Sequence, residues 1–507
     1  MTLFDRFLQK QFDFKFAVKK VKKISIKMSV LVKTTTSIIK EIKNNAKIVN
    51  ICGIKYLCNY KHISSNYCLI SKKTSLSKIL ISFQNVIQNQ RRNMSMCESQ
   101  KQELVSVNES RRFMIDCFKA FGVPQIHAEQ QADLLVAADY RGHFSHGLNR
   151  LEYYLNDLSK KSTDGAAVPK ILKETPATAW VDGCNGLGAV IGNFCMDLAI
   201  KKSKTAGVGW VCVKNSNHYG MAGWYPMKAM KEGFVGISMT NTSPLMAPTR
   251  AKEAALGTNP IAVGVPAGDD HFLLDMATTA VALGKIEIQR RKGEDIPEGW
   301  AQNVEGASTT DPEQACCLMP LGGAEWNSGY KGYGLASVVD ILTGVMAGAN
   351  YSTKIRKWNA LGCNEQADLG QMFVAINPNC FDPDFETNMC DLNSRLRNSK
   401  PVCTECSLIY CTFPSTTTKR LPMLDLSCAR LSSLYIRCHG ERFLLDYPPI
   451  MSQYYIDPEM TVLVAGDKEE DNMKAVDKAG GIKYLPDQLR TCKELAQRLN
   501  VKPLSFI

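Results

Sequence analysis

Gly186-Leu-Gly-Ala-Val-Ile-Gly192 is the nearest this chain comes to a dinucleotide-binding fingerprint, and it misses. A phosphate-cradling strand-to-helix turn needs G-x-G-x-x-G behind a clean strand, so that the backbone can reach a pyrophosphate at the helix N-terminus. Here the third glycine arrives one residue late, and no clean strand is read ahead of it. A Rossmann-type parallel sheet is therefore not expected. From Ala177 onward the pattern is short β-rich runs: Val208-Gly-Trp-Val-Cys-Val213, Phe234–Thr240, Pro260–Val265 and Phe272–Asp275. They alternate with helical stretches at 189–205, 222–232 and 333–349. The expectation is an α/β fold with mixed strand directions.

Upstream the periodicity is helical. Asn108 is placed to cap a helix carrying Phe113, Met114, Cys117, Phe118 and Phe121 and closed by Gly122. Pro124 opens a second helix, with Ala128, Ala132, Leu135 and Val136 on one face, ending at Gly142. A third carries Leu148, Leu151, Leu155 and Leu158, with Ser145 where an N-cap would sit. That spacing predicts His146 at the positive end of the third helix, with Arg150 one turn on along the same face. An imidazole beside a guanidinium fork suits a 2-keto acid. The fork grips the carboxylate while the imidazole exchanges a proton with the carbonyl oxygen. The plainer alternatives are a capping histidine and a solvated arginine.

The formal charge of +12 is confined to one end. Residues 1–95 hold 19 Lys and Arg against 3 Asp and Glu, leaving 42 basic and 46 acidic residues beyond. The body thus has no basic face for nucleic acid. The leader is acid-poor but favours Lys over Arg, so it reads as dispensable sequence before Met94 or Met96 rather than a mitochondrial import signal. On that reading the body of the chain is expected to be cytoplasmic; a translated leader would leave import open. The 19 cysteines are scattered, with Cys117, Cys195 and Cys212 in apolar surroundings, as for unpaired thiols in a reducing compartment. No stretch reaches the roughly 20 apolar residues of a membrane span. Leu335–Ala349 is short, contains Asp340 and reads as a buried helix.

Four further segments stand in order: Asn215-Ser-Asn-His-Tyr-Gly-Met-Ala-Gly223, Thr240–Pro260, Leu273-Leu-Asp-Met-Ala-Thr-Thr279 and Ser328-Gly-Tyr-Lys-Gly-Tyr-Gly334. With Ser145-His-Gly147 they make the chain resemble the malate/L-lactate dehydrogenase family, which also holds sulfolactate, ureidoglycolate and diketogulonate enzymes. The resemblance runs from about Glu98 to Lys400 and resumes from about Ile456. It implies a small helical domain at 98–175, with C-terminal helices from 468–507 packed on it. It also implies a mixed, largely antiparallel NAD(P)-binding sheet over 176–400, and a homodimer. The glycine stretch at 186–192 would lie in a loop near the active site.

The implied activity is hydride transfer between NAD(P)H and a small 2-keto or 2-hydroxy acid, malate-like first, with an imine or diketo-acid reductase as the alternative. His146 is the acid/base, Ser145 its orienting neighbour and Arg150 the carboxylate clamp. His218, in a loop after a strand, is the rival acid. Asp275 ends an apolar strand and needs a partner, either His146 or a cofactor amide. The cofactor segments are Phe272, Leu273, Leu274, Asp275, Met276, Ala277 and Thr278, then Tyr330 and Lys331, then Gly466, Asp467 and Lys468. Glycines flanking Lys331 would let backbone approach a phosphate. Asp467 on a ribose hydroxyl would favour NAD over NADP.

Residues 402–455 interrupt the family pattern before the 456–507 segment. Cys403, Cys406, Cys438 and His439 there lack zinc spacing, so no metal is expected. The insertion raises one further alternative, an inactive product in which the Gly466 segment cannot dock.

Overall fold

The computed structural model describes residues 103–358, 364–401 and 461–507, with two short strands, Tyr435–Cys438 and Glu441–Leu444. The basic leader, and Cys403, Cys406 and His439 of the insertion, lie outside the described residues; Cys438 ends the first of the two short strands.

Strand β1 (Glu103–Val105) leads into α1 (Val107–Lys119) and α2 (Gln125–Tyr140). Ser106, not Asn108, caps α1, its hydroxyl accepting the Glu109 N–H at 3.1 Å. A turn and a 3₁₀ segment, Leu148–Arg150, enter α3 (Leu151–Ser159). The sheet begins earlier than the sequence pattern suggests, with β2 (Lys170–Glu174) and β3 (Thr178–Asp182). Then come α4 (Gly188–Ala206), β4 (Val208–Ser216), α5 (Trp224–Lys231), β5 (Val235–Thr240), β6 (Ile261–Ala267) and β7 (Asp270–Met276). A peripheral lobe holds α6 (Leu283–Lys292) and three two-residue strands. Next are α7 (Gly329–Asp340), which runs into a π-helical turn at Ile341–Val345, strand β8 (Leu369–Ile376) and α8 (Phe385–Arg397). The chain closes with α9 (Asp467–Ala479), β9 (Ile482–Tyr484) and α10 (Pro486–Leu499).

Seven strands form one sheet in the order β2-β3-β4-β8-β5-β6-β7. Only β3 and β4 run parallel; every other neighbouring pair is antiparallel. The parallel pair is joined by α4, so a strand does precede the glycine stretch, contrary to the sequence reading. Its glycines serve packing. A Cβ at Gly188 would stand 2.2 Å from the His218 carbonyl, and one at Gly192 would stand 2.4 Å from the Tyr225 ring. The stretch opens a helix beside His218 rather than lying in a loop.

Alternation along β4 sorts the two faces of the sheet. Val211 and Val213 pack with Phe373, Ile191 and Met196 under α4 and α5. Trp210 and Cys212 turn to Met372, Val374 and Ala347 beside the π-helical turn. A separate core joins α1, α2 and α3 to the C-terminal elements: Phe113, Phe118, Leu135 and Leu155 meet Val476, Tyr484 and Leu495. The 335–349 stretch is not buried throughout, since Val338, Ile341, Val345 and Met346 are exposed.

Candidate active site

The site starts from a buried carboxyl. Asp139, near the end of α2, is fully buried, and its Oδ2 accepts the Leu148 N–H and the Tyr484 hydroxyl, each at 2.9 Å. Burial pushes this carboxyl up to about 7 against those hydrogen bonds. The turn it holds runs directly past it: a Cβ at Gly147 would lie 2.0 Å from Asp139 Oδ1. Glycine therefore follows His146 because the backbone is pressed onto a carboxyl group.

The sequence placed Ser145 as an N-cap and His146 on a helix. Both lie in the turn before the 3₁₀ segment, with the His146 N–H donating to the His143 carbonyl at 2.8 Å. The capping role is withdrawn, but the neighbours stay together. Ser145 Oγ lies 2.9 Å from His146 Nδ1, which leaves Nε2 for proton exchange. Arg150 Nε donates to the Ser145 carbonyl at 2.7 Å, so the fork is anchored at one nitrogen with its two terminal nitrogens in hand. Its guanidinium lies over the Tyr153 ring at 4.9 Å. Burial first, then the Arg150 charge, push the His146 imidazole down to about 3.

His218 follows β4 and reaches the same place, its ring stacked on His146 at 5.9 Å. Its Nδ1 accepts the Gly220 N–H at 3.3 Å and lies 2.6 Å from the Tyr154 hydroxyl. Because a backbone N–H can only donate, Nδ1 is an acceptor and the proton sits on Nε2. Burial, with His146 and Arg150 nearby, holds this imidazole well below its usual range. Trp358 also stacks on it, at 4.3 Å.

Asp275 lies next to the end of β7. Its Oδ2 accepts the Gly223 N–H at 2.7 Å, not a proton from His146. Burial raises this carboxyl, while His143 and Arg141 oppose the rise. The edge of β7 receives the C-terminal segment: the Leu273 N–H donates to the Ala465 carbonyl at 2.8 Å. Gly466 follows at φ +107°, where a Cβ would come within 3.4 Å of Leu273 and His271. Arg397 clamps the junction, pairing with Asp270 at 2.6 Å and Asp467 at 2.7 Å. The Asp467 carboxylate thus already holds a guanidinium beside the position read from the sequence as a ribose contact.

The other cofactor residues are unevenly placed. Phe272, Leu274, Met276 and Ala277 are half-buried along or just past β7, and Leu273 points inward. Thr278 is buried, its hydroxyl donating to the Thr258 and Asn259 carbonyls. Lys468 is exposed beside Asp467. Tyr330 and Lys331 stand exposed on the first turn of α7. The glycines around Lys331 admit protein rather than ligand: a Cβ at Gly329 or Gly332 would strike the Gly323 or Leu321 carbonyl at 1.8 or 2.2 Å.

A family model described as malate/L-lactate dehydrogenase matches residues 105–414. The chain belongs to the malate/L-lactate dehydrogenase family. The malate dehydrogenase of Pyrococcus horikoshii is 43% identical over 294 residues, covering 57% of this chain and 81% of that protein. The L-sulfolactate dehydrogenase of Methanocaldococcus jannaschii is 41% identical over 302 residues, covering 59% and 85%. The solved structure of the Pyrococcus horikoshii enzyme superposes with a TM-score of 0.64 at 32% identity, covering 80% of this chain and 98% of that one. Other relatives carry NAD(+) or NADP(+) in their names, so the cofactor class is a nicotinamide nucleotide.

Sequence reasoning did not single out Asp139, Gly223, Tyr154, Trp358 or Arg397. Their roles rest on contacts between distant segments. Only Gly147, inside the Ser-His-Gly motif, carried a local signal.

Proposed function

We propose that this chain interconverts a small 2-hydroxy acid and its 2-keto acid, malate and oxaloacetate first among them. The observation that carries the reading is the convergence of Ser145, His146, His218 and the Arg150 fork on one turn. Arg150 takes the substrate carboxylate through its terminal nitrogens. In the oxidative direction His146, kept neutral by burial and by Arg150, accepts the hydroxyl proton through Nε2. In the reductive direction the substrate carboxylate offsets the Arg150 charge and lets His146 carry the proton it donates. His218 is a neutral Nε2–H donor, suited to orient the oxygen rather than to protonate it.

The residues at β7 fit a nicotinamide nucleotide. Arg141 keeps a buried Nη1 without a hydrogen-bond partner among the described residues and faces Asp275, Glu469 and Glu470. The β7 segment from Phe272 and the Gly466–Lys468 turn would hold the nucleotide, with Asp275 at the nicotinamide amide and Lys331 at a phosphate. When bound, the nicotinamide supplies or takes the hydride. With Asp467 held by Arg397, the choice between NAD and NADP falls to other groups. The docking of Ala465 on Leu273 supports an active enzyme over a disabled one.

A second copy of the chain is the proposed cover for Tyr330, Tyr333, Val338, Ile341 and Val345, an exposed apolar stripe at helical spacing along α7 and its π turn. Among the described residues no helix is long and apolar enough to cross a membrane. Nine described cysteines are free, which supports a reducing, cytoplasmic setting.

The test is oxidation of NADH and NADPH by the purified full chain with oxaloacetate, sulfopyruvate and pyruvate, alongside His146→Ala. Turnover largely lost in the variant supports the reading; absence of turnover with every acid removes it. Mass by light scattering, with Ile341→Asp as comparison, tests the dimer.

A further inference from the structure

Arg356 and Asp157 form an ion pair at 2.8 Å with side chains only 3% and 6% exposed. It is an expensive arrangement, because Arg356 Nε and Nη1 and Asp157 Oδ1 are buried with no hydrogen-bond partner among the described residues. Desolvation of such a pair commonly cancels its Coulomb gain, and unpaired buried atoms add to the loss. Stability alone does not account for it.

What the pair holds is an indole. Asp157 Oδ2, on α3, accepts from Arg356 Nη2 and also from Trp358 Nε1 at 2.9 Å. Ser243 fixes the backbone between them, donating to the Arg356 carbonyl at 2.7 Å and accepting the Trp358 N–H at 3.1 Å. Pinned at ring and backbone, the half-buried indole stacks on His218 at 4.3 Å and meets Tyr153 and Tyr154 edge-on at 5.0 and 5.5 Å. The Arg150 guanidinium lies 6.0 Å from it. One rigid ring thus borders both the residue assigned to the substrate carboxylate and the histidine assigned to orient the oxygen.

We propose that Trp358 is a specificity-determining residue whose indole walls the side of the pocket facing the substituent on C3 of the acid, and that Asp157 and Arg356 are positioning residues that hold the wall in place. This rests on the dehydrogenase reading above. With the carboxylate at Arg150 and the oxygen between His146 and His218, the substituent is the remaining branch of the carbonyl carbon, and Trp358 borders both Arg150 and His218. A fixed indole admits short C3 substituents and excludes bulky ones.

The experiment compares kcat/KM for oxaloacetate and phenylpyruvate in the full chain and in Trp358→Ala, Trp358→Phe and Asp157→Asn. Trp358→Ala is expected to move the ratio at least tenfold toward phenylpyruvate. Trp358→Phe, which keeps a stacked ring, should move it less, and Asp157→Asn should move it in the same direction as Trp358→Ala. An unchanged ratio, with both substrates slowed equally, overturns the proposal. If Trp358→Ala fails to fold, Trp358→Leu and Trp358→Phe decide by the same ratio. Quenching of tryptophan fluorescence by oxamate, a non-reacting keto-acid mimic, separates the two readings. Quenching abolished in Trp358→Phe, in a protein that turns over no keto acid, leaves the wall standing and removes the dehydrogenase reading. Quenching unaltered by the substitution overturns the wall.

Discussion

Asp139 Oδ2 and the Leu148 N–H are joined at 2.9 Å across the turn that carries His146, with Gly147 pressed against the same carboxyl group. The residue proposed as acid/base is therefore placed by a fully buried carboxyl group. Gly147→Ala puts a methyl group where Asp139 Oδ1 stands, so the turn or the aspartate must move. The expected outcome is a fall in kcat of about a hundredfold or more, on the scale of a misplaced catalytic group. A melting temperature that drops by only a few degrees would separate this from unfolding.

The same carboxyl makes stability depend on pH. Its folded value, about 7, lies above the ordinary 3.8, so the folded state binds the extra proton between those values. Its contribution is present at low pH and is lost as pH rises from about 4 through 7. Asp139→Asn removes this loss. The melting temperature of the variant relative to the parent should rise between pH 5 and pH 8.5, measured by calorimetry; a constant difference would show that the group does not titrate there.

His146 works in the opposite sense. Its folded value, about 3, lies below the ordinary 6.5, so the unfolded chain takes the proton first. Stability from this group is complete above about 6.5 and is lost as pH falls toward 3. His146→Gln should be less acid-sensitive than the parent while losing most turnover. Equal acid sensitivity would show that the imidazole is more open to water than its surroundings imply.

Among the described residues the two terminal nitrogens of Arg150 have no hydrogen-bond partner, and a lysine cannot reproduce that fork. Arg150→Lys should raise KM for the keto acid by about a hundredfold, while KM for NADH changes little. A proportional rise in both would mean that Arg150 shapes the site rather than gripping the carboxylate.

Arg397 bridges Asp270 and Asp467 across the joint between β7 and α9. The bridge is about one-third exposed, so Arg397→Ala should cost only about 1 kcal/mol in stability. Its effect should appear instead as weaker NADH binding, measured by titration calorimetry, with KM for the acid nearly unchanged.

These residues also mark where the sequence is legible. The Ser145-His-Gly147 and Asn217-His-Tyr219 motifs point to the histidines, and strand alternation reveals the mixed sheet, because those signals are local. Helical spacing misplaced His146: a turn tied to Asp139 interrupts the helix, and the tie comes from burial. The Asp467–Arg397 pair was not legible, because Arg397 lies on another element. Trp358 carries no local pattern; only the packing of α3, the Ser243 loop and the end of β4 gives it a position. The failed fingerprint at Gly186–Gly192 correctly excluded the Rossmann sheet, although β3 stands ahead of it.

Strand β9 pairs with β1, Ile482 opposite Val105, and the Ile507 N–H donates to the Leu104 carbonyl at 2.9 Å. The helical core is thus stitched from segments that leave the ribosome far apart in time. Helices α1 to α3 must wait with Phe113 and Leu155 uncovered until Leu495 arrives, and the Asp139 carboxyl must wait for Tyr484. The geometry of the His146 turn is consequently among the last things synthesis completes, and a nascent or clipped chain lacking 482–507 would own every residue proposed for catalysis without the means to aim them.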